Sequence, residues 1–219
     1  MESYQKLLLA NKAWASEKLQ LDPTYFTKLA ADQKPEFLWI GCSDSRVPAD
    51  QVSGTQPGEI FVHRNVANLV IHTDMSMLSV LQYAVEVLKV KHILVVGHYQ
   101  CGGVKASMTN KDYGLINNWL RHIKDVYSKY WHELQKIDNE QERFDRLVEV
   151  NVVEQVKNVA KTTIVQNAWA NSEYPMIHGW VLNLHTGLIK SIIEIESKDD
   201  DALEEVYNFD FEMGKVKKA

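Results

Sequence analysis

The sequence predicts an α/β fold in which a mainly parallel central β-sheet is flanked by helices, with an N-terminal helical arm and an antiparallel edge strand near the C-terminus. Two apolar runs without alternation, 37–40 and 92–96, are typical of strands that are covered on both faces. Segments with helical spacing follow these runs, and strands that alternate with helices favour a parallel sheet. Such sheets bind ligands beyond the carboxyl ends of their strands, where Gly41 and Gly97 follow the two runs.

The first element is the helical arm. Between positions 7 and 21 apolar side chains such as Leu7, Leu8 and Trp14 recur among polar ones, which indicates an amphipathic helix. This helix precedes the first strand, so it packs either on its own core or on a partner subunit. A further strand is predicted over 59–64, and a helix over 75–88.

The second half predicts two long helices and a hairpin. Apolar residues at three- and four-residue steps indicate helices over 115–131 and 143–169, joined by a charged linker. Two runs rich in β-branched residues, 176–184 and 188–195, flank His185-Thr186-Gly187, and they indicate a hairpin that closes one edge of the sheet.

Length and composition predict one folded domain. A chain of 219 residues can bury one continuous core. A composition of 45% hydrophobic and 24% charged residues is ordinary for a globular protein and gives no sign of extensive disorder. We divide this single α/β domain into an N-terminal helical arm (1–34), a core (35–195) and a C-terminal tail (196–219).

Net charge and cysteine content limit which classes of binding partner and which cellular compartment we expect. The formal net charge is −5, whereas nucleic acids and anionic membranes select clustered lysine and arginine, so neither is expected as a partner. The N-terminus shows no signal-peptide pattern and no later stretch is apolar enough to span a bilayer. Two cysteines make no disulfide framework, and a reducing compartment leaves both as thiols. We therefore expect a cytoplasmic protein.

The residues that carry chemistry follow the two buried strands. Cys42 comes directly after the first strand, and His98 and Cys101 come directly after the second. Two thiolates and one imidazole match a catalytic zinc site, which takes three protein ligands and leaves a fourth position for water or substrate. Taken singly, each cysteine could be a buried thiol and the histidine a hydrogen-bonded core residue. Their coincidence at two strand ends favours a metal site with one Zn²⁺ per chain.

Asp44 and Arg46 are predicted to control the fourth position of that site. Asp44 lies two residues beyond Cys42, so its carboxylate can reach the same metal, and the planar Arg46 guanidinium can pair with a carboxylate instead. With Asp44 bound, the site is closed. With Arg46 holding Asp44 away, water can bind and its pKa falls toward neutrality.

The segments Cys42-Ser43-Asp44-Ser45-Arg46 and His98-Tyr99-Gln100-Cys101-Gly102-Gly103 resemble the two signature motifs of the β-class carbonic anhydrases. The likeness extends to Pro57-Gly58-Glu59, to the stretch from His63 to Asn68 and to Ile177-His178-Gly179-Trp180. It covers most of the chain from position 33 to about position 180. We expect the bacterial type of this family, which includes a bicarbonate-regulated kind.

The resemblance implies reversible hydration of carbon dioxide by zinc-bound hydroxide, with bicarbonate as the product. The positions that match the family's substrate pocket are Gln33, Phe61, Val66 and Tyr83, although the last three could equally be core residues. In that family the pocket is completed across a subunit interface. The expected assembly is therefore a homodimer, or a tetramer built from two dimers.

The resemblance also suggests a regulatory bicarbonate site, because a tryptophan, a glycine and an arginine of some bacterial members match Trp39, Gly41 and Arg64. Bicarbonate there would draw Arg64 away and let Asp44 move onto zinc. The sequence departs from this pattern at Val181, where such members often carry a tyrosine. Packing of Trp39 and an ion pair of Arg64 explain these residues equally well.

Two other functions stay open on the sequence alone. The same fold and zinc site can support a hydrolase of carbon disulfide or carbonyl sulfide. A nonenzymatic zinc-bearing sensor is also possible, with Asp44 as a permanent fourth ligand. Arg46 argues against the second alternative, since it offers the displaced carboxylate a partner.

Overall fold

A computed structural model describes residues 2–197, 199 and 203–211 of the chain. Its centre is a five-stranded sheet with the order β2-β1-β3-β4-β5. The strands are β1 (Phe37–Cys42), β2 (Ile60–Asn65), β3 (His92–His98), β4 (Met176–Leu182) and β5 (Ile189–Ile195). The first four run parallel, and β5 pairs antiparallel with β4. The predicted fold class is confirmed, including the antiparallel edge strand.

Helices surround this sheet, and β1 and β3 are buried on both faces as their apolar runs predicted. One face packs against the long helix α8, and the other carries Trp39, Leu94 and Val96. None of the helices that the structure describes combines the length and the apolar character needed to cross a membrane. The α-helices are α1 (Ser3–Leu21), α2 (Tyr25–Ala31), α3 (Ala49–Ser53), α4 (Met75–Gln82), α5 (Gly102–Ser107), α6 (Ile116–Lys129), α7 (Trp131–Leu134), α8 (Glu140–Ala160) and α9 (Thr163–Trp169).

Both predicted long helices of the second half are interrupted. The segment 115–131 contains α6 and the start of α7, and the segment 143–169 contains most of α8 and all of α9. The break before α9 has a local cause, because the Thr162 hydroxyl accepts a hydrogen bond from the Val165 N–H and so caps a new helix. The short helices α3 and α5 were not predicted, since five or six residues show too little periodicity.

The N-terminal arm consists of two helices, α1 and α2. Trp14 of α1 contacts the rings of Tyr25 and Phe26 at centroid distances of 6.3 and 5.5 Å. Within the part of the chain that the structure describes, α1 has no buried side chain, and Leu7 and Leu8 are exposed. The helix is therefore formed as predicted, and its apolar side chains are not covered by its own core.

The predicted tail, 196–219, is described only in part. A 3₁₀ turn spans Glu205–Tyr207, and the side-chain amide of Gln166 holds it by donating to Tyr207 O and accepting from the Phe209 N–H. The other residues of the tail, 198, 200–202 and 212–219, lie outside the described residues.

Candidate metal centre and active site

Three metal-binding side chains meet at the carboxyl end of the sheet. Cys42 is the last residue of β1, His98 is the last residue of β3, and Cys101 is the N-cap of α5. Because β1 and β3 are neighbours in the sheet, their ends lie side by side. The sulfur atoms and one ring nitrogen of these residues lie within 4.8 Å of one another, and all three side chains are buried. The structure thus brings together the three residues that the sequence predicted as ligands.

The His98 ring is oriented toward the two thiols. Its Nδ1 lies 2.9 Å from the carbonyl oxygen of Tyr99, a contact that requires Nδ1 to carry the proton and donate it. Nε2 then carries a lone pair, and it has no hydrogen-bond partner among the described residues although it is buried. A buried nitrogen without a partner costs about 1–3 kcal/mol, and a metal ion would remove that cost.

The two thiols have opposite tendencies to ionise. Cys42 Sγ lies 3.9 Å from Cys101 Sγ. Hydrogen bonding to Cys101, and more weakly to the Ala67 N–H, outweighs burial and lowers the pKa of the Cys42 thiol well below its ordinary value. The pKa of Cys101 is raised, because it shares its proton with Cys42 and because it is buried. One thiolate is therefore available at neutral pH, and a cation would favour the second.

This donor set fits zinc. Tetrahedral Zn²⁺ with Zn–S bonds of about 2.3 Å places two sulfur ligands about 3.8 Å apart. The observed separation of Cys42 Sγ and Cys101 Sγ is 3.9 Å. Two sulfurs and one imidazole favour zinc over magnesium or calcium, which prefer oxygen ligands.

Asp44 lies beside the cluster but is paired with Arg46. The guanidinium donates to the two carboxylate oxygens at 2.9 and 2.7 Å, and the Arg46 N–H donates to Oδ1 at 2.9 Å. These bonds hold the pKa of the Asp44 carboxyl well below its usual range, although burial opposes them. Asp44 Oδ2 is nonetheless 3.8 Å from His98 Nε2. The carboxylate is therefore one small movement from the ligand atoms.

Arg64 binds the backbone of the segment that carries Cys42 and Asp44. Its Nε donates to Cys42 O at 2.9 Å, and a terminal nitrogen donates to Asp44 O. The Trp39 indole lies directly against Gly41, where a Cβ would collide with it. Trp39 Nε1 is buried and has no hydrogen-bond partner among the residues described. The sequence left open that Trp39 only packs and that Arg64 forms an ion pair. Among the described residues, Arg64 instead donates to two backbone carbonyl oxygens.

The four predicted pocket residues are not all brought together within one chain. The rings of Phe61 and Tyr83 are in contact, with centroids 5.7 Å apart, and Tyr83 is 44% exposed. Val66 is half-buried and lies at the start of the 3₁₀ turn Val66–Asn68, next to Ala67. Gln33 is exposed at the end of the arm. Their role in a substrate pocket stays a prediction.

Two residues at the site were not singled out by the sequence. The Ala67 N–H donates to Cys42 Sγ at 3.4 Å. Tyr99 supplies the carbonyl that orients His98, and its hydroxyl donates to Glu149 at 2.7 Å. Both residues stood inside motifs that carry the family resemblance, but their contacts involve the backbone, which a sequence pattern does not reveal.

The fold and the cluster define an α/β protein with a buried Cys-His-Cys metal-binding group, and comparisons with known proteins agree. Residues 37–189 match the family model described as carbonic anhydrase. A curated carbonic anhydrase of Emericella nidulans is 51% identical over 191 residues, which are 87% of this chain and 84% of that protein.

Two solved structures extend the comparison. One of two tetrameric β-carbonic anhydrases of Sordaria macrospora superposes with a TM-score of 0.85 at 38% identity, covering 88% of this chain and 98% of that one. A Coccomyxa β-carbonic anhydrase in complex with acetazolamide gives a TM-score of 0.84 at 42% identity, covering 89% of each chain.

The chain belongs to the β-carbonic anhydrase family. It is a carbonic anhydrase, which catalyses the reversible hydration of carbon dioxide to bicarbonate and a proton. The matched proteins favour this function over a hydrolase of carbon disulfide or carbonyl sulfide and over a nonenzymatic sensor. The curated relative and the Sordaria structure are fungal, so the bacterial type stays a prediction.

Proposed function

We propose that each chain binds one Zn²⁺ through Cys42, His98 and Cys101, with Asp44 and Arg46 controlling access to the fourth position. The observation that carries this proposal is the His98 ring. Its Nδ1 is fixed by the Tyr99 carbonyl, so the lone pair of the buried Nε2, which has no hydrogen-bond partner among the described residues, is free for a cation. The cluster of the three ligand atoms within 4.8 Å supports it independently.

Zinc, when bound, lowers the pKa of a coordinated water and so supplies a nucleophile near neutral pH. The chain's own residues set when the fourth position is open. In the arrangement described, Arg46 holds both oxygens of Asp44, which keeps the carboxylate away from His98 Nε2. We propose that in the resting state Asp44 leaves Arg46 and binds the metal instead. We also propose that four side chains line the carbon dioxide pocket: Gln33, Phe61, Val66 and Tyr83.

Metal content and stopped-flow hydration of carbon dioxide test this proposal. His98→Asn should reduce zinc content from one per chain to well below one, and hydration should fall with it. His178→Asn is a matched control, since His178 is also a buried histidine, but its Nδ1 lies 3.3 Å from Glu194 Oε1 rather than beside a thiol. Full zinc content and activity in His98→Asn would contradict the proposed ligand set.

We further propose that the chain works as a homodimer or a tetramer. The support is the arm, because Leu7, Leu8 and other apolar side chains of α1 are exposed and no side chain of this described helix is buried. The Sordaria relatives are tetrameric. Light scattering of the full chain should give at least the dimer mass, and Leu8→Glu should weaken the assembly. A monomer with full activity would contradict this proposal.

We also propose a regulatory bicarbonate site at Trp39, Gly41 and Arg64. It is supported by the buried Trp39 Nε1, which has no hydrogen-bond partner in the part of the chain that the structure describes. Arg64 supports it too, because its bonds to Cys42 O and Asp44 O link this place to the Cys-His-Cys cluster. Bicarbonate that engaged Arg64 would release both carbonyls and free Asp44 to move. Added bicarbonate should then inhibit hydration beyond simple product competition in the wild type. Equal inhibition in Trp39→Phe would contradict the site.

The cytoplasm is the proposed compartment. Cys42 and Cys101 are free thiols, which is compatible with a reducing environment. Cell fractionation with a tagged full-length chain tests it, and recovery in a membrane or secreted fraction would contradict it.

A further inference from the structure

Helix α8 carries a row of three amide side chains on one face. Asn151, Gln155 and Asn158 are spaced by four and three residues, so they lie one above the other. Asn151 and Gln155 are only 1% and 2% exposed. Gln155 donates to Asn151 Oδ1 at 3.2 Å, and Asn158 donates to Gln155 Oε1 at 3.3 Å. Buried amides are unfavourable unless they are hydrogen-bonded, so their other partners are informative.

Those partners are backbone groups of the segment 66–70. Asn151 Nδ2 donates to Ala67 O at 3.2 Å. Gln155 Oε1 accepts from the Val70 N–H at 2.8 Å, and Asn158 Nδ2 donates to Val70 O at 3.1 Å. The row of amides therefore fixes both ends of this short segment to the longest helix of the protein.

The segment needs such support because its backbone is strained. Ala67 and Asn68 have φ values of 65° and 50°, the left-handed region that residues with a Cβ rarely adopt. Strained backbone of this kind persists where the surroundings over-determine it. In this conformation the Ala67 N–H donates to Cys42 Sγ at 3.4 Å. The strained conformation thus allows a hydrogen bond to Cys42, one of the three proposed ligands.

We propose that Asn151 and Gln155 are positioning residues of the metal centre, which hold Ala67 so that its N–H donates to the Cys42 thiolate. An N–H that donates to a ligating sulfur draws electron density from it, and so strengthens the pull of the metal on its fourth ligand. This inference rests on the proposed zinc site. It gives Asn151 and Gln155 an indirect role at that site, through the backbone of the segment 66–70.

The test compares two buried glutamines. Gln155→Met keeps the side-chain length and removes the amide. Gln166→Met is the matched control, because Gln166 is also buried and its amide makes three hydrogen bonds, with Ala160 O, Tyr207 O and the Phe209 N–H, none of them to the segment 66–70. Both variants are prepared with Co²⁺ in place of zinc, and zinc affinity is measured by competition with a chelator.

In Gln155→Met the sulfur-to-cobalt charge-transfer band should move to longer wavelength, because a thiolate without its N–H donor gives up an electron more readily. Zinc affinity should fall roughly tenfold, as for other residues that orient a ligand. Gln166→Met should keep the wild-type band and affinity. A folded Gln155→Met with the wild-type spectrum and affinity would overturn the proposal.

A second variant covers the case in which Gln155→Met does not fold. Glycine adopts positive φ without steric cost, so Ala67→Gly in the Gln155→Met background should restore both the band and the affinity. Failure of the double variant to restore them counts against the proposal. Absence of any charge-transfer band in the wild type would instead contradict the Cys42–His98–Cys101 site itself, and this proposal with it.

Discussion

Gly103→Ala is a sharp test of how tightly the metal-binding segments are packed together. Gly103 lies in the first turn of α5, two residues after Cys101. A Cβ at this position would lie 2.8 Å from Val66 Cγ1 and 3.3 Å from Ala67 Cβ. Ordinary carbon–carbon contacts are about 3.5–4.0 Å, so the neighbours would have to move by about 1 Å.

The cost of that movement can be isolated with a control on the adjacent residue. Gly102→Ala meets no atom within 4 Å, so it reports only the change in helix propensity, which is worth up to about 1 kcal/mol in favour of alanine. Gly103→Ala carries the same change and the overlap as well. Overpacking of this kind costs about 1–3 kcal/mol. We expect the difference between the two variants in unfolding free energy to lie in that range.

Urea unfolding of both variants measures this difference, at equal protein concentration and full zinc content because both affect apparent stability. In thermal unfolding of a chain of this size, 1 kcal/mol changes Tm by about 2–4 °C, so the melting temperatures of the two variants should differ by about 2–12 °C. Displacement of Ala67 should also lower the zinc affinity of Gly103→Ala but not of Gly102→Ala. Equal stability of the two variants would refute the packing argument.

Two further predictions concern charged pairs near the site. Arg46→Ala should lower carbon dioxide hydration at neutral pH, because Asp44 would no longer be held away from the fourth position of the proposed zinc site. Activity should recover at alkaline pH, where hydroxide competes with Asp44 for that position. An equal loss in an Asp44→Asn background would contradict this. The pKa of Glu149 is lowered, because hydrogen bonds from Lys190 and Tyr99 outweigh burial, so its contribution to stability is present above its unfolded pKa of about 4.3 and lost as pH falls through the folded pKa. The urea midpoints of wild type and Glu149→Gln should therefore differ at pH 7 and converge as the pH falls through the folded pKa, and a constant difference would contradict the linkage.

The sequence predicted the sheet and the clustering of Cys42, His98 and Cys101 well, because both depend on short-range patterns. Apolar runs without alternation identified β1 and β3 as buried parallel strands, and parallel neighbours bring their carboxyl ends together. Cys42 and His98 stand at those ends, so their proximity follows once the strands are adjacent. No long-range contact had to be guessed beyond the pairing of the two strands.

The supporting contacts were harder to predict. The helical spacing over 143–169 marks apolar positions as buried, but it gives no reason to bury Asn151 and Gln155, which hydrophobic periodicity alone would leave in solvent. Their role depends on the left-handed conformation at Ala67, and the sequence does not predict that conformation because alanine rarely adopts a positive φ. Likewise Thr162 begins a new helix only because its hydroxyl meets the Val165 N–H.

Helix α8 connects these observations, since two of its faces support different members of the Cys-His-Cys cluster. Glu149 accepts a hydrogen bond from the Tyr99 hydroxyl, and the Tyr99 carbonyl orients His98. Asn151, two residues further along, binds Ala67 O, and the Ala67 N–H meets Cys42 Sγ. Between them the helix packs on β3 and β4 through buried valines, so it cannot shift without disturbing the sheet. The distance between the ends of β1 and β3 is therefore fixed both by their pairing in the sheet and by α8, which packs across the sheet. Together they keep the Cys-His-Cys cluster preformed.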